Sequence, residues 1–278
     1  MAYRSALLNV MTAAAQKAAR GLVRDLGELE HLQVSRKGPA DFVSKADRKA
    51  ESVIRGELMK ARPAYGLLME ESGTVVGTDT SNRWVIDPLD GTTNFLHGIP
   101  HFCISIALER DGDPFAGVIY SPIHDEMFVA EKGLGAYLNG RRLRVSARRR
   151  VDDAIFATGI PFKGIPDHDL FVRQLEAVMA ISAGVRRFGS AALDLAYVAA
   201  GRYDGYWENG LNPWDVAAGI VLVREAGGFV SDISGGNRML AGGGILAANS
   251  ELHGFLVRLL QEPAIGQVAD RTENVNER

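Results

Sequence analysis

The chain has 278 residues, of which 46% are hydrophobic and 23% are charged, and its formal net charge at pH 7 is −3. This composition excludes fibrous and largely disordered proteins, and the acidic balance argues against a nucleic-acid-binding surface. The length is sufficient for a large buried core organised as one or two domains.

Cysteine content and the lengths of the apolar runs indicate the cellular compartment in which the protein is expected. Cys103 is the only cysteine, so an intramolecular disulfide and a CxxC metal site are excluded, and its place in the run FCISIAL predicts a buried, unreactive thiol. No run of about 18 apolar residues occurs, so no membrane span is expected. The N-terminus lacks the uninterrupted apolar segment of an export signal, which predicts a cytoplasmic protein.

Two amphipathic helices are predicted at the start of the chain. Apolar residues at helical spacing predict the first over residues 4–29, and the second is predicted over residues 45–60, ending before Pro63. Ser44 and Asp47 form an S-x-x-D capping pair at the start of the second helix. On the residues alone, this capping role is a sufficient reason for Asp47.

Acidic residues follow the next two predicted strands. A short apolar strand at residues 65–69 ends on Glu70 and Glu71, and a second at residues 84–86 ends on Asp87 and Asp90. Neighbouring strand ends in a sheet would bring these carboxylates together, and their mutual repulsion calls for a divalent cation. Simpler alternatives remain open, namely a solvated loop for the glutamates and a type I turn with an aspartate cap for D-P-x-D.

Gly91 and Thr92 come directly after this acidic turn. A helix that begins there would direct free backbone N–H groups at an anion. A phosphate and the cations could therefore share one corner of the molecule.

An antiparallel meander is predicted over residues 101–132, followed by a hairpin around Asn139 and Gly140. Arginines between positions 141 and 150 are interpreted as a solvated loop. The region also contains three histidines without metal-ligand spacing, for which turn or surface roles are favoured: His97, His101 and His124.

A charged connector at residues 146–153 marks the predicted boundary between an N-terminal α+β subdomain, residues 1–146, and a C-terminal α/β subdomain, residues 147–262. The first would carry most metal ligands and the second would complete the site. Residues 263–278 lose apolar periodicity and are predicted to be a flexible tail. The C-terminal subdomain alternates strands and helices, which implies helices covering a sheet. Its predicted strands are residues 154–158, 185–188, 203–207, 229–231 and 245–248, and its predicted helices are residues 169–181, 191–200, 214–226 and 250–260.

Three features of the C-terminal half bear on chemistry. Gly189 and Ser190 stand at a helix start, where free N–H groups could meet a ligand or where Ser190 could be a plain N-cap. Glu208 ends an apolar strand and is either functional or a solvated strand end. Asp215 follows Pro213 in a first helical turn, where it is favoured by the helix dipole without any metal.

Four motifs together resemble the inositol monophosphatase family of magnesium-dependent, lithium-sensitive phosphatases. They are EES at 70–72, WVIDPLDGTTNF at 84–95, GSAA at 189–192 and WDVAAG at 214–219. The resemblance extends from the first helix to about residue 260 and is strongest with bacterial inositol-1-phosphatases over residues 189–228. It implies a mixed α+β fold, a layered αβαβα sandwich of the sugar-phosphatase type with an antiparallel N-terminal sheet and a mixed C-terminal sheet.

The resemblance also implies a role for each residue that matches a family motif. Glu70, Asp87 and the Leu89 carbonyl would bind a first Mg²⁺, and Asp87, Asp90 and Asp215 a second. A third ion near Glu70 is common in the family, and Mn²⁺ could replace Mg²⁺. Asp47 would hydrogen-bond to Thr92, which replaces the cap-only interpretation of Asp47. The further matching residues are Gly91 and Thr92 for phosphate, with Gly189, Ser190, Ala191, Glu208, Asp90 and Asp215 for substrate.

The implied reaction is hydrolysis of myo-inositol monophosphate to inositol and phosphate by metal-activated water, with Glu70, Thr92 and Asp47 as catalytic residues. Relatives acting on fructose 1,6-bisphosphate, NADP, adenosine 3′,5′-bisphosphate or histidinol phosphate keep the same metal motif, so these substrates are alternatives. A regulatory protein that uses this fold to bind a partner is a further alternative. We expect a small phosphate ester as ligand, a homodimer, and neither membrane nor nucleic-acid partners.

Overall fold

A computed structural model describes residues 5–27, 34–36, 42–161, 168–242 and 244–262, with backbone only at 34–36 and 42–44. Within these ranges the helices are α1 Ala6–Leu26, α2 Lys45–Ala61, α3 Thr92–Leu96, α4 His168–Met179, α5 Ala191–Ala199, α6 Pro213–Glu225 and α7 Ser250–Gln261. The strands are β1 Val34–Arg36, β2 Phe42–Ser44, β3 Tyr65–Met69, β4 Gly73–Val75, β5 Asp79–Asp90, β6 Cys103–Arg110, β7 Asp113–Ser121, β8 Glu126–Glu131, β9 Gly135–Leu138, β10 Arg141–Arg142, β11 Ile155–Thr158, β12 Gly184–Arg186, β13 Gly205–Glu208, β14 Phe229–Ser231 and β15 Ile245–Ala248.

The first large sheet has eight strands in the order β10-β9-β8-β7-β6-β5-β3-β4. Its strands run antiparallel except for one pair, since β3 and β5 are parallel. The predicted meander and the hairpin at Asn139 are therefore confirmed. The parallel pair matters most, because it places the carboxyl ends of two acidic strands at the same sheet edge.

The second sheet has five strands in the order β12-β11-β13-β15-β14. β11 is parallel to both β12 and β13, whereas β15 is antiparallel to β13 and β14, so the sheet is mixed, as expected. Three of its five predicted strands are shifted by one or two residues at one or both ends, as at β13, which begins at Gly205 rather than at residue 203. β4 and the start of β5 were missed because their sequences are polar and largely exposed, which hides the alternation of a strand.

Helices and sheets alternate in five layers. α1 and α2 cover one face of the first sheet and α5 and α6 pack between the two sheets, while α4 and α7 cover the outer face of the second sheet. Three clusters of buried apolar side chains fill the spaces between these layers, and one of them extends over both sides of α5 and α6. The predicted αβαβα sandwich is confirmed.

Close approach between α6 and the first sheet depends on small residues. A Cβ added at Gly117 on β7 would lie 2.6 Å from the carbonyl oxygen of Ala218 on α6. No side chain fits there, so the helix backbone lies directly against the strand. The connector at residues 146–153 separates the two sheets along the chain, yet α5 and α6 beyond it share their core with the first sheet.

The tail predicted at residues 263–278 lies outside the described residues. Among the described residues, no helix combines the length and the apolar character that a bilayer crossing requires.

Candidate metal and substrate site

The site begins where β3 and β5 end side by side. Met69, the last residue of β3, pairs with Ile86 in the parallel register, so Glu70 comes beside Asp87, while β5 continues to Asp90. The Glu70 N–H donates to the carbonyl of Ile86 at 3.2 Å, which extends the pairing of the two strands by one residue beyond β3. The expectation that neighbouring strand ends bring these acids together is confirmed.

A β-bulge, rather than the turn considered from the sequence, shapes the D-P-x-D segment. Asp87 pairs with Ser105 and Asp90 with Cys103, so the two residues between them on β5 oppose a single residue on β6. The Leu89 N–H donates to Asp87 Oδ1 at 2.9 Å, and Thr92 Oγ1 donates to the Leu89 carbonyl at 3.0 Å. The bulge therefore presents Asp87 and Asp90 from one stretch of strand.

Gly91 allows the chain to leave this strand for the short helix α3. Its φ of 96° is left-handed, and an added Cβ would lie 3.0 Å from the carbonyl oxygen of His101. Only glycine avoids both the backbone strain and the contact. The helix itself begins at Thr92, so Gly91 is the residue preceding its first turn.

Asp90 joins the two halves of the chain. Its Oδ2 accepts hydrogen bonds from Ser190 Oγ at 2.6 Å and from the Ala192 N–H at 2.7 Å. Ser190 occupies the N-cap position of α5, but its hydroxyl makes no capping bond, so the plain N-cap interpretation is wrong. Cys103 Sγ lies 3.8 Å from the same carboxylate oxygen, and burial holds the pKa of its thiol well above the usual range. The predicted burial of Cys103 is confirmed, and its raised pKa disfavours the reactive thiolate form.

Asp215 reaches the same corner from α6. Pro213 and Asp215 lie in the first turn of this helix, as predicted, and Asp215 Oδ2 accepts the Asn212 N–H at 2.7 Å. The hydrogen bond fixes one carboxylate oxygen at the helix start and leaves the other for a ligand.

Electrostatics show that these four acids belong to one cluster. Burial raises the pKa of Asp87 well above its usual value, and the negative charges of Glu70, Asp90 and Asp215 raise it further. The pKa of Asp215 is likewise raised by burial and then by Asp90, with Glu70 contributing. Burial raises the pKa of Asp90 to about 6. Full ionisation of the cluster therefore requires a nearby positive charge.

The donor chemistry fits a hard divalent cation, since carboxylate and carbonyl oxygens are the ligands that Mg²⁺ prefers. Across the described residues, no three Asp, Glu, His or Cys side chains already stand close enough together to hold a metal ion. Asp87, Asp90 and Asp215 each direct one oxygen to a hydrogen bond within the protein. The structure thus brings the predicted acids into one electrostatic cluster, and the detailed ligand assignment stays a prediction.

Glu208 stands at the end of β13, where its carboxylate accepts a hydrogen bond from the Tyr206 hydroxyl. The Glu208 carboxyl group packs directly on the backbone of Gly159. A Cβ added at Gly159 would lie only 1.9 Å from Glu208 Cδ. Burial raises the pKa of Glu208 to about 7. Glu208 is therefore not a solvated strand end, and the charge of Glu208 also contributes to the raised pKa of Asp215.

Asp194 was not anticipated from the sequence. It lies on α5, is fully buried, and neither carboxylate oxygen has a hydrogen-bond partner among the described residues. Burial holds its pKa well above the usual value, with smaller contributions from Glu208 and Asp90. A single acid in the apolar stretch AALDLA gives no sequence signal, because a lone charged residue on a helix is normally solvated.

Glu51 is the second residue that sequence analysis missed. It is 2% exposed on α2 and accepts a hydrogen bond from the Glu71 N–H at 2.8 Å and another from the Ser72 hydroxyl. Arg48 Nε lies 3.7 Å from the Glu71 carboxylate. Helix α2 therefore holds the turn that carries Glu70, and Glu71 is directed away to an ion pair.

Asp47 is 2% exposed in the first turn of α2, as predicted for a structural or catalytic position. The side chain of Ser44 lies outside the described residues, so the capping pair remains a prediction. The contact of Asp47 with Thr92 also remains a prediction.

The three histidines divide into two groups. His97 and His124 are exposed, as predicted. His101 packs its ring on Phe188 with centroids 5.0 Å apart, and burial lowers its pKa to about 4. His101 is therefore a packing residue rather than a surface residue.

A layered αβαβα sandwich with an acidic cluster at a parallel strand end defines a class of sugar-phosphatase-like proteins, and comparison with known proteins gives the family. The model of the inositol monophosphatase family matches residues 3–263, and the chain belongs to this family. It is an enzyme of the phosphatase class, and the recognition made from the four motifs is confirmed.

Individual relatives agree. The chain is 58% identical over 260 residues to an inositol-1-monophosphatase of Mesorhizobium japonicum, covering 94% of this chain and 98% of the relative. It is 47% identical over 243 residues to Nus factor SuhB of Escherichia coli K12, covering 87% and 91%. A crystal structure of extragenic suppressor protein suhB from Bartonella henselae superposes with a TM-score of 0.90 at 59% identity, covering 93% and 99%.

Proposed function

We propose that this phosphatase hydrolyses myo-inositol monophosphate to inositol and phosphate in a Mg²⁺-dependent reaction. The observation that carries the proposal is the group of four mutually repelling acids around the ends of β3 and β5, next to the half-buried Glu208. Asp87 is fully buried, and Glu70, Asp90 and Asp215 are half-buried. A relative that is 58% identical is named inositol-1-monophosphatase, which supports the choice of substrate.

Glu70, Asp87 and the Leu89 carbonyl would hold one Mg²⁺, and Asp87, Asp90 and Asp215 a second. A third ion near Glu70 and replacement by Mn²⁺ are part of the same proposal. When bound, the cations neutralise the phosphate dianion and lower the pKa of water so that it is nucleophilic near neutral pH.

The protein residues supply orientation. Glu70 and the Thr92 hydroxyl would align the attacking water with phosphorus. The hydroxyl proton of Thr92, which is donated to the Leu89 carbonyl here, would be donated to Asp47 once that carbonyl holds a cation. The N–H groups of Gly91 and Thr92 would hold the phosphate oxygens, since Gly91 is the N-cap of α3 and Thr92 is its first residue.

Glu208 is the main candidate for recognition of the inositol hydroxyls. The α5 start, Gly189 to Ala191, and the metal ligands Asp90 and Asp215 would complete the pocket. Ser190 Oγ already donates to Asp90, so it is available to a substrate hydroxyl chiefly as an acceptor. The half-buried carboxylate of Glu208 can accept two such hydroxyls, which favours a polyol over an aromatic leaving group.

A panel of phosphate esters tests the proposal. We expect phosphate release from inositol 1-phosphate to exceed release from the alternative substrates, to stop in EDTA and to return with Mg²⁺. Glu208→Ala should raise KM for inositol 1-phosphate while changing KM for p-nitrophenyl phosphate little. Preference for another ester would replace inositol as substrate, and equal effects of Glu208→Ala on both esters would remove Glu208 from the sugar pocket.

A regulatory role is the second candidate, because a relative that is 47% identical is named Nus factor SuhB. A pull-down with and without Mg²⁺ separates the regulatory role from catalysis. The same pull-down with a turnover-deficient variant shows whether partner binding depends on the reaction. The proposal also includes a cytoplasmic homodimer that is inhibited by lithium, to be checked by localisation, light scattering and inhibition assays.

A further inference from the structure

Asn94 connects three segments through one nitrogen atom. The residue lies on α3, two positions after Thr92, and is 6% exposed. Its Nδ2 donates to the carbonyl of His101 at 2.7 Å and to the carbonyl of Phe188 at 2.7 Å. A primary amide carries two hydrogens, so both are used for backbone acceptors far apart in sequence.

One of the two acceptors, Phe188, adjoins the residues proposed to bind substrate. Phe188 immediately precedes Gly189 and Ser190, and Ser190 donates to Asp90. The connections therefore form a closed path from the phosphate loop through Asn94 and α5 back to Asp90. Loss of the amide would open this path at the point where the two halves of the chain meet.

Packing at the junction leaves little freedom for another arrangement. Gly189 has a φ of +83°, and an added Cβ would lie 2.8 Å from the guanidinium of Arg187 and 3.5 Å from Asn94 Nδ2. The rings of His101 and Phe188 pack against each other at an interplanar angle of 31° with centroids 5.0 Å apart, so the two acceptor residues are also in direct contact.

We infer that Asn94 is a positioning residue that fixes the start of α5 relative to the Gly91–Thr92 loop, and thereby sets the distance between the phosphate and the sugar ends of the substrate. The inference rests on the proposed function, because it assumes that these two segments bind opposite ends of one phosphate ester. Within hydrogen-bonding distance of two carbonyl oxygens, an amide attracts both, whereas a carboxylate of the same shape repels both.

Asn94→Asp is the test variant, and Asn249→Asp is a matched control. Asn249 is 5% exposed and its Nδ2 donates to the carbonyls of Ser146 at 3.0 Å and Arg148 at 2.8 Å. Asn249 follows Ala248, which pairs with Gly205 at the first residue of β13, whereas Glu208 is the last residue of that strand. The same chemical change is therefore made away from the proposed site. Asn94→Ala is included in case the aspartate variant does not fold.

Two measurements are made on the full chain at saturating Mg²⁺. Hydrogen exchange of the backbone amides at residues 190–193 should be about tenfold faster in the Asn94 variant, with the β7 amides unchanged. KM for inositol 1-phosphate should rise about tenfold, while KM for p-nitrophenyl phosphate stays within about twofold. Asn249→Asp should leave both KM values and the exchange at residues 190–193 unchanged.

Each outcome decides the inference. Unchanged exchange at residues 190–193 would overturn it, and faster exchange with both KM values unchanged would show a purely structural residue and also overturn it. A wild-type enzyme that prefers another ester refutes the inositol proposal alone, and the KM comparison then uses that ester. If no ester is hydrolysed, the proposed function fails and the exchange result alone decides the role of Asn94.

Discussion

Replacement of Gly159 by alanine is the most specific perturbation of the proposed sugar pocket. Gly159 follows β11 and does not have a left-handed φ, so an alanine backbone is allowed there. The added Cβ, however, would lie 1.9 Å from Glu208 Cδ and 1.9 Å from Glu208 Oε1. The steric effect of one methyl group is therefore directed at a single carboxylate.

The size of the effect follows from this distance. Ordinary Cβ contacts begin near 3.4 Å, so the Glu208 carboxyl or the end of β11 must move by about 1.5 Å. A displacement of this size breaks charge-assisted hydrogen bonds worth about 1.5–3 kcal/mol to a bound hydroxyl. We therefore expect KM for inositol 1-phosphate to rise about 10- to 100-fold, because each 1.4 kcal/mol corresponds to about a factor of ten.

Steady-state kinetics with inositol 1-phosphate and p-nitrophenyl phosphate measure this change, since only the first ester has hydroxyls for Glu208. Gly56→Ala is the matched control. Gly56 lies on α2 with nothing within 4 Å of an added Cβ, so alanine should leave kinetics unchanged and stabilise the helix by about 0.5–1 kcal/mol. An unchanged KM for inositol 1-phosphate in folded Gly159→Ala would refute the reasoning.

Three further predictions concern the acids. Asp90→Asn should lower turnover by at least about two to three orders of magnitude at saturating Mg²⁺ with an unchanged circular dichroism spectrum, because asparagine can still accept from Ser190 but loses the ligand charge; wild-type turnover would contradict the metal assignment. Burial raises the pKa of Glu208 from its usual 4.5 to about 7, so the folded state retains a proton that the unfolded state loses in this window, and stability falls as pH rises through it by up to about 3 kcal/mol. Urea unfolding of Glu208→Gln should accordingly show a gain at pH 8 that is absent at pH 4, and an equal gain at both values would count against it. Mg²⁺ should raise the Tm of the wild type, EDTA should reverse the rise, and Asp215→Asn should respond less, because burial and then the charge of Asp90 raise the pKa of Asp215, and a bound cation offsets both effects. Equal shifts in both proteins would exclude Asp215 as a ligand.

Much of the fold was predictable because its signals are local. The periodicity of α1 and α6, the turn residues of the meander and the apolar strands each depend on a few neighbouring residues. Glu70 and Asp87 could also be paired from the sequence, since both follow apolar strands, and strand ends in a sheet gather at its edges.

The contacts within the site were less predictable because they depend on distant packing. The sequence places Ser190 at a helix start, but only the fold shows that its hydroxyl turns to Asp90, one hundred positions earlier. Asp194 and Glu51 resemble solvated helix residues until the layers that bury them are known. Asn94 lies inside a recognised motif, yet neither of its acceptors can be inferred from that motif.

The direct contact between α6 and β7 at Gly117 has a consequence for biosynthesis. Asp215 is carried by this helix, so the acidic corner stays incomplete while the ribosome is still translating the segment before α6. Until then, a nascent chain displays the apolar face of its first sheet without the helix that covers it. Premature termination at the connector would therefore yield an aggregation-prone fragment rather than a smaller enzyme. The two halves of the chain must be made together for either to be covered.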